Sequence, residues 1–138
     1  KGPAAAAAAS AAGPAGPFVP ASQDEKNLTD AEREQVKELT RSMHSNKGLC
    51  YLKLELWDKG AEACSRALEL DADEGKLKQR RGVCLLRLGQ LDKARADLER
   101  ALELNPGDAS ILKDLAELAR LDRQQDKKAQ RTFQKMFG

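Results

Sequence analysis

The chain repeats itself with a period of 34 residues, and this repeat restricts the available folds more than any other feature. When residues 41–74 are aligned with residues 75–108, eleven of the 34 positions are identical, where chance would give roughly two or three. The identical pairs are Gly48/Gly82, Cys50/Cys84, Leu52/Leu86, Leu54/Leu88, Asp58/Asp92, Lys59/Lys93, and the run 66–70 against 100–104. A period of this length indicates an array of small structural units that stack on one another.

The second copy reads GVCLLRLGQLDKARADLERALELNP over residues 82–106. Its length, its two apolar helical stretches and its closing proline resemble the tetratricopeptide repeat. The resemblance implies an all-α fold. It would be a right-handed superhelix of helix-turn-helix repeats that ends in a long C-terminal capping helix and binds peptides in its groove. The composition agrees, because 33% of the residues are charged and only 4% are aromatic, as is typical of amphipathic helices.

Composition and breaker residues divide the chain into four parts. Residues 1–27 are rich in Ala, Pro and Gly and are predicted to be a linker, or, since no acid precedes Asp24, a transit peptide. A repeat unit with an extended first helix is predicted at 28–74, a second unit at 75–108 and the capping helix at 109–138. About three units are usually needed for a stable core. Because the chain also begins without methionine, we expect a fragment whose first repeat is missing.

Capping residues predict where the helices begin. Thr29 and Glu32 have the spacing of a capping box. Asp58, Asp92 and Asp108 are each expected to cap the helix that follows.

Glycine and alanine at repeated positions predict close helix packing. Gly48 and Gly82 are expected where the two helices of a unit cross, with Ala67 and Ala101 on the second helix.

The composition excludes several classes of function. A net charge of +2 gives no preference for nucleic acid or membranes, and no apolar run approaches the ~20 residues that a membrane span needs. Cys50 and Cys84 are expected to be small buried residues in a reducing compartment. Their spacing supports neither a metal site nor a disulfide, and no cofactor is expected. No nucleophile–base pair or phosphate loop appears, so the chain is not expected to be an enzyme.

Three segments narrow the resemblance within the repeat class. They are SNKGLCYLKL at 45–54, GKLKQRRG at 75–82 and the ending KKAQRTFQKMFG. They are similar to the C-terminal repeat domain of FK506-binding immunophilins, and the loop and MFG ending are also similar to the tetratricopeptide repeat protein 9 family. Immunophilins carry a prolyl isomerase domain before the repeats, but none of its strands is seen in this sequence. Isomerase activity could therefore belong only to a part upstream of this chain.

The resemblance also implies a binding site. Repeat domains of the clamp type hold the C-terminal carboxylate of heat-shock chaperone tails that end in Glu-Glu-Val-Asp. Their asparagine falls on Asn46, and their lysine and arginine fall on Lys76 and Arg80. Lys76 and Arg80 are four residues apart and project from one helix face, and Asn46 lies 34 residues before Arg80. Arginine suits a carboxylate because it offers two parallel hydrogen bonds. Gln79 stands where immunophilins often have an aromatic residue, which puts the pocket for the peptide's side chains in doubt.

Three alternatives remain open at this point. Lys76 and Arg80 could be ordinary charges of a helix surface. The chain could instead be a structural subunit that docks permanently in a larger assembly. The C-terminal segment 120–138 carries six basic residues against two acidic ones and could bind calmodulin or another acidic partner. A co-chaperone of this kind is expected in the cytoplasm.

Overall fold

The structure, a computed structural model, describes residues 27–138. These residues are almost entirely helical and contain no strand. The helices are α1 (Asp30–Lys53), α2 (Trp57–Leu70), α3 (Gly75–Arg87), α4 (Leu91–Leu104) and α5 (Ala109–Phe137). The all-α prediction is therefore confirmed. The linker predicted for residues 1–27 lies outside the described residues, apart from Asn27. None of the described helices is long and apolar enough to cross a membrane.

The predicted capping box is present at the start of α1. The Thr29 amide donates to Glu32 Oε1 at 2.9 Å, and the Glu32 amide donates to Thr29 Oγ1 at 3.1 Å. Each side chain thus satisfies a backbone donor that has no partner within the helix.

The predicted caps of the later helices are right once and wrong twice. Asp108 caps α5, since its Oδ1 accepts from the amides of Ser110 at 2.8 Å and Ile111 at 3.2 Å. Asp58 and Asp92 do not cap α2 and α4. The cap positions belong to Leu56 and Gln90, neither of which makes a side-chain cap bond, and the aspartates lie in the first turn. Acidic groups there still stabilise a helix by interacting with its dipole, so the same residue type serves at a slightly later position.

The core of residues 37–138, which form one compact unit, lies between successive helices. Helix α3 packs against α2 and α4, and α4 packs against α5. A first apolar cluster joins α2 to α3 and consists of Cys64, Ala67, Leu68 and Leu77. A second joins α3, α4 and α5 and is built from Leu86, Ala94, Leu98 and Leu118. Helices α2 to α5 are therefore buried chiefly by their neighbours in sequence, as in other repeat folds.

The glycines of the repeat lie at close helix crossings, as predicted. A β-carbon added to Gly48 would lie 2.7 Å from Cys64 Sγ, and one added to Gly82 would lie 2.8 Å from Leu98 Cγ. Ala67 and Ala101 are fully buried on the opposing helices. The identical residues of the two copies thus include those that allow the backbones to approach.

The prediction that both repeated cysteines are buried is wrong for Cys50. Cys84 is buried, whereas Cys50 is exposed. Cys84 packs against Gly60 of the preceding repeat, whose added β-carbon would lie 2.8 Å from the sulfur. The residue at the same spacing before Cys50 is Lys26, which is outside the described residues. The burial of a residue in a repeat array therefore depends on what packs against it and not on its repeat position alone.

Candidate carboxylate-binding groove

Arg80 is the basic side chain that links α3 to α1, and we call the surface around it the α1/α3 groove. Arg80 is half-buried, and its Nη1 donates to Ser45 Oγ at 2.9 Å and to the Ser45 carbonyl oxygen at 3.3 Å. These two bonds tie the guanidinium to α1 and fix its position. Within residues 27–138, the Nε and Nη2 donors of Arg80 have no protein partner. They are free to bind an acceptor that enters the groove.

Asn46 and Lys76 are the other two predicted donors, and they lie near Arg80 along α1 and α3. Asn46 directly follows Ser45 on α1 and is exposed. Lys76 lies one turn before Arg80 on α3 and is also exposed, and no described residue pairs with its ammonium group in an ion pair. The bonds from Arg80 to Ser45 bring the guanidinium next to the α1 segment that contains Asn46. The helical spacing puts Lys76 on the same side of α3.

The first turn of α5 closes the other side of α3. Gln79 Nε2 donates to Ser110 Oγ at 2.9 Å and to Asp114 Oδ2 at 3.0 Å. Hydrogen bonds from the side chain and amide of Ser110 and from the amide of Ile111 lower the pKa of Asp108, and the charge of Lys76 lowers it further. The ammonium group of Lys76 therefore lies close enough to α5 to interact electrostatically with the Asp108 carboxylate.

The residues that position the groove were not evident from the sequence. Ser45, Ser110 and Asp114 are ordinary polar residues of helix surfaces, and only the fold shows that they receive hydrogen bonds from α3. One signal was available for Gln79, because it occupies the repeat position of Ser45 in the next unit. Because both repeats have a polar residue at this position, the position is expected to face a surface and not the core.

An ion pair on another face of α3 anchors the helix. Arg81 donates from Nε to Asp97 Oδ2 at 2.7 Å and from Nη2 to Oδ1 at 2.8 Å, and its Nη1 reaches Ser65 Oγ at 3.1 Å. The hydrogen bonds and charge of Asp97 raise the pKa of Arg81 further above its already high value. This contact joins α3 to both α2 and α4. It was also missed from the sequence, although an aspartate within the apolar stripe of α4 is the kind of signal that could have revealed it.

Comparisons with known proteins agree with this architecture. Residues 76–108 match the sequence model of the tetratricopeptide repeat family. A segment of 52 residues is 35% identical to the bovine peptidyl-prolyl cis-trans isomerase FKBP4. That segment is 38% of this chain but only 11% of the relative, so the chain spans about a ninth of the length of this curated relative.

Two solved structures are similar in fold. The C-terminal repeat-containing domain of an FK506-binding protein from Plasmodium falciparum superposes with a TM-score of 0.70 and 23% identity, covering 75% of this chain and 69% of that domain. The second repeat domain of human RPAP3, solved with the HSP70 peptide SGPTIEEVD, has a TM-score of 0.56 and 29% identity, with 58% and 67% coverage.

The helix pairs and the matched repeat point to one class of fold: residues 76–108 match a tetratricopeptide repeat, and the helices are arranged as in a solved domain of such repeats. Within that class, the chain resembles the C-terminal repeat domain of the FK506-binding proteins in both sequence and fold.

Proposed function

We propose that the chain is a protein–protein interaction module of the co-chaperone type, and that its α1/α3 groove binds the acidic C-terminal tail of a heat-shock chaperone. The observation that carries the proposal is the hydrogen bonding of the Arg80 guanidinium. Its Nη1 is fixed by Ser45, while its Nε and Nη2 donors have no partner among the described residues. An arginine held in this way loses little side-chain freedom when a carboxylate binds.

The other proposed donors add charge and polarity around this point. Lys76 would contribute a second positive charge from one turn earlier on α3, and Asn46 would donate its side-chain amide from α1. Charge-assisted hydrogen bonds of this kind are stronger than neutral ones. The human RPAP3 domain, which shares this fold, was solved with a peptide ending in Glu-Glu-Val-Asp. That similarity supports a tail of this chemistry as the ligand, and a chaperone partner would also place the chain in the cytoplasm.

The test is a titration with a tail peptide that ends in Glu-Glu-Val-Asp, in two forms that differ only at the C-terminus. The proposal expects the free-acid peptide to bind and the amidated peptide to bind at least about tenfold more weakly, because the amide removes the anionic acceptor. Equal binding of the two forms would contradict the proposal. The alternative, a structural subunit that docks permanently in a larger assembly, would bind neither form. It would also be insoluble when purified alone.

A second candidate function belongs to the distal part of α5. All residues from 123 to 138 are exposed, and Phe133, Met136 and Phe137 are each more than 60% exposed. We infer that this basic and apolar segment binds calmodulin or another acidic partner with an apolar groove. Titration with calcium-loaded calmodulin tests this inference. Phe133→Ser should remove the binding, and Leu112→Ser, at another exposed apolar position on the same helix, should leave it intact.

A further inference from the structure

The two repeats differ at one ionic position. In the second repeat, the carboxylate of Asp97 accepts two hydrogen bonds from Arg81 and lies 3.9 Å from the ammonium of Lys78. Asp97 is only 5% exposed, so this anion is held almost entirely by the two basic side chains. The corresponding place in the first repeat is found by subtracting the period of 34 residues.

The first repeat keeps the basic residues of this arrangement and lacks the acid. Lys47 stands at the position of Arg81, His44 at that of Lys78, and Ala63 at that of Asp97. Ala63 is buried at 3% exposure, so its methyl group occupies the place from which a carboxylate would reach the basic side chains.

A surface cavity of about 260 Å³ lies at this place. Its lining comes from α1 and α2 and consists of His44, Lys47, Tyr51, Lys59, Glu62, Ala63 and Arg66. We call it the α1/α2 cavity.

The charges around the α1/α2 cavity are not balanced. Glu62 is the one acid of the lining, and it forms an ion pair with Arg66 at 3.1 Å. No ion pair of Lys47 or Lys59 exists within residues 27–138. His44 Nδ1 is buried and has no hydrogen-bond partner there either. Among the described residues, two lysines therefore have no acidic partner, and the imidazole nitrogen beside them has no hydrogen-bond partner.

The α1/α2 cavity is separate from the groove of Arg80. Along α1, His44, Lys47 and Tyr51 recur at intervals of three and four residues and share one face. Asn46 lies on roughly the opposite side of the helix, given a rotation of about 100° per residue. A ligand of one site therefore does not occupy the other.

We propose that the α1/α2 cavity binds an acidic side chain from a partner protein, whose carboxylate takes the place that Asp97 fills in the next repeat. The ligand is a glutamate or aspartate within an acidic peptide segment, and no free chain end is required. Lys47 and Lys59 supply the charge, and the cavity has room for a side chain of this size.

The probe is a ten-residue peptide of alternating glutamate and glycine, acetylated and amidated so that it has no terminal carboxylate. Binding is followed at low ionic strength by the amide chemical shifts of α1 and α2. Removing one basic partner should weaken binding about tenfold, as expected for the loss of a charge-assisted contact. The proposal expects this loss for Lys47→Gln and Lys59→Gln. The matched control is Lys93→Gln, which removes the same charge at the equivalent exposed position of the second repeat and should bind like the wild type.

The most specific variant is Ala63→Asp, which introduces the acid of the second repeat into the first. Its carboxylate should pair with Lys47 and so exclude the peptide, whereas Ala63→Asn, which is similar in size but uncharged, should still bind. If Ala63→Asp does not fold, the lysine variants and their control decide the matter alone. Absence of binding, or equal losses in Lys59→Gln and Lys93→Gln, would overturn the proposal. So would loss of binding in Arg80→Ala, because the peptide would then lie in the α1/α3 groove. Since the probe has no free C-terminus, its failure leaves the proposed chaperone-tail site untouched.

Discussion

The guanidinium of Arg81 and the carboxylate of Asp97 form a two-pronged ion pair, with N–O distances of 2.7 and 2.8 Å, at the junction of α3 and α4. Arg81 also donates to Ser65 on α2, so three successive helices meet at one side chain. Asp97 is the only buried polar or charged side chain among residues 27–138. A buried acid of this kind is tolerated because both of its oxygens have charged partners.

Asp97→Ala should therefore destabilise the domain by about 2–3 kcal/mol, because it leaves a partly buried guanidinium without its acceptor. Urea unfolding followed by circular dichroism measures the change. Asp92→Ala is the matched control, since the side chain of Asp92 is fully exposed and lies 3.5 Å from Arg95. It should cost clearly less than Asp97→Ala, because it removes only an exposed interaction with the helix dipole and a solvent-screened ion pair. Equal effects of the two variants would show that the Arg81 contact does not stabilise the fold.

The second prediction concerns the turn between the two helices of each repeat. Gly89 has φ of 83°, and the equivalent residue of the first repeat, Glu55, has φ of 61°. Both lie in the left-handed region, which glycine adopts without strain. Gly89→Ala should cost about 1 kcal/mol, whereas Glu55→Ala should be nearly neutral because a β-carbon is already present there. A thermal melt that ranks the two variants in the reverse order would contradict the turn geometry.

Close packing of α3 against α4 makes a third prediction. A methyl group at Gly82 would overlap Leu98 Cγ at 2.8 Å, whereas one at Gly75 would meet Leu104 Cβ at an ordinary 3.4 Å. Gly82→Ala should destabilise the domain by about 1–2 kcal/mol, because overpacking outweighs the better helix propensity of alanine. Gly75→Ala should be neutral or slightly stabilising, as its gain in propensity meets no clash. Chemical denaturation of both variants gives the comparison.

The thiols should differ strongly in reactivity. Burial raises the pKa of Cys64 to about 11 and that of Cys84 to about 12, from an ordinary value of 9.0, while Cys50 is exposed. A disulfide reagent at pH 8 should modify Cys50 at once and the other two only after denaturant is added, because thiolates are the reactive form. Modification of all three at one rate would contradict the burial.

The same thiols make stability depend on alkaline pH. The unfolded thiols ionise near pH 9, and the folded ones ionise only near 11 and 12. Their contribution to stability is therefore complete below about pH 9 and is lost as the pH rises toward the folded values. Cys84→Ala should reduce this alkaline loss of stability relative to the wild type.

The sequence predicted those features that depend on local pattern or on the repeat itself. The helices, the capping box of Thr29 and Glu32, and the close approaches at Gly48 and Gly82 all follow from residue type and period. The prediction that Cys50 is buried was wrong, because burial depends on what packs against a residue and not on its repeat position alone. The pair of Arg81 and Asp97 was missed, because it joins residues 16 positions apart on different helices. The one hint of it in the sequence is the position of Asp97 within the apolar stripe of α4.

For the three proposed groove donors too, the sequence predicted what depends on helical spacing and not what depends on packing between helices. Lys76 and Arg80 share a helix face by spacing alone, and that much was evident from the sequence. The bond from Arg80 to Ser45 was not, because it depends on how α3 packs against α1. The groove's assignment as a binding site stays a prediction until a ligand is measured.

Whether Arg80 binds the chaperone tail is tested most directly by the affinity of the α1/α3 groove for a peptide that ends in Glu-Glu-Val-Asp, measured by calorimetry on three proteins. These are the wild type, Arg80→Ala and Arg87→Ala, the last of which removes a basic side chain of α3 that pairs instead with Glu117 at 3.6 Å. Arg80→Ala should lose about 1.5–3 kcal/mol of binding free energy, as for a charged hydrogen bond. Arg87→Ala should bind like the wild type, and the wild-type affinity should fall as salt is added. If Arg80→Ala binds as tightly as the wild type, or if both variants weaken binding equally, the groove does not bind the chaperone tail through Arg80.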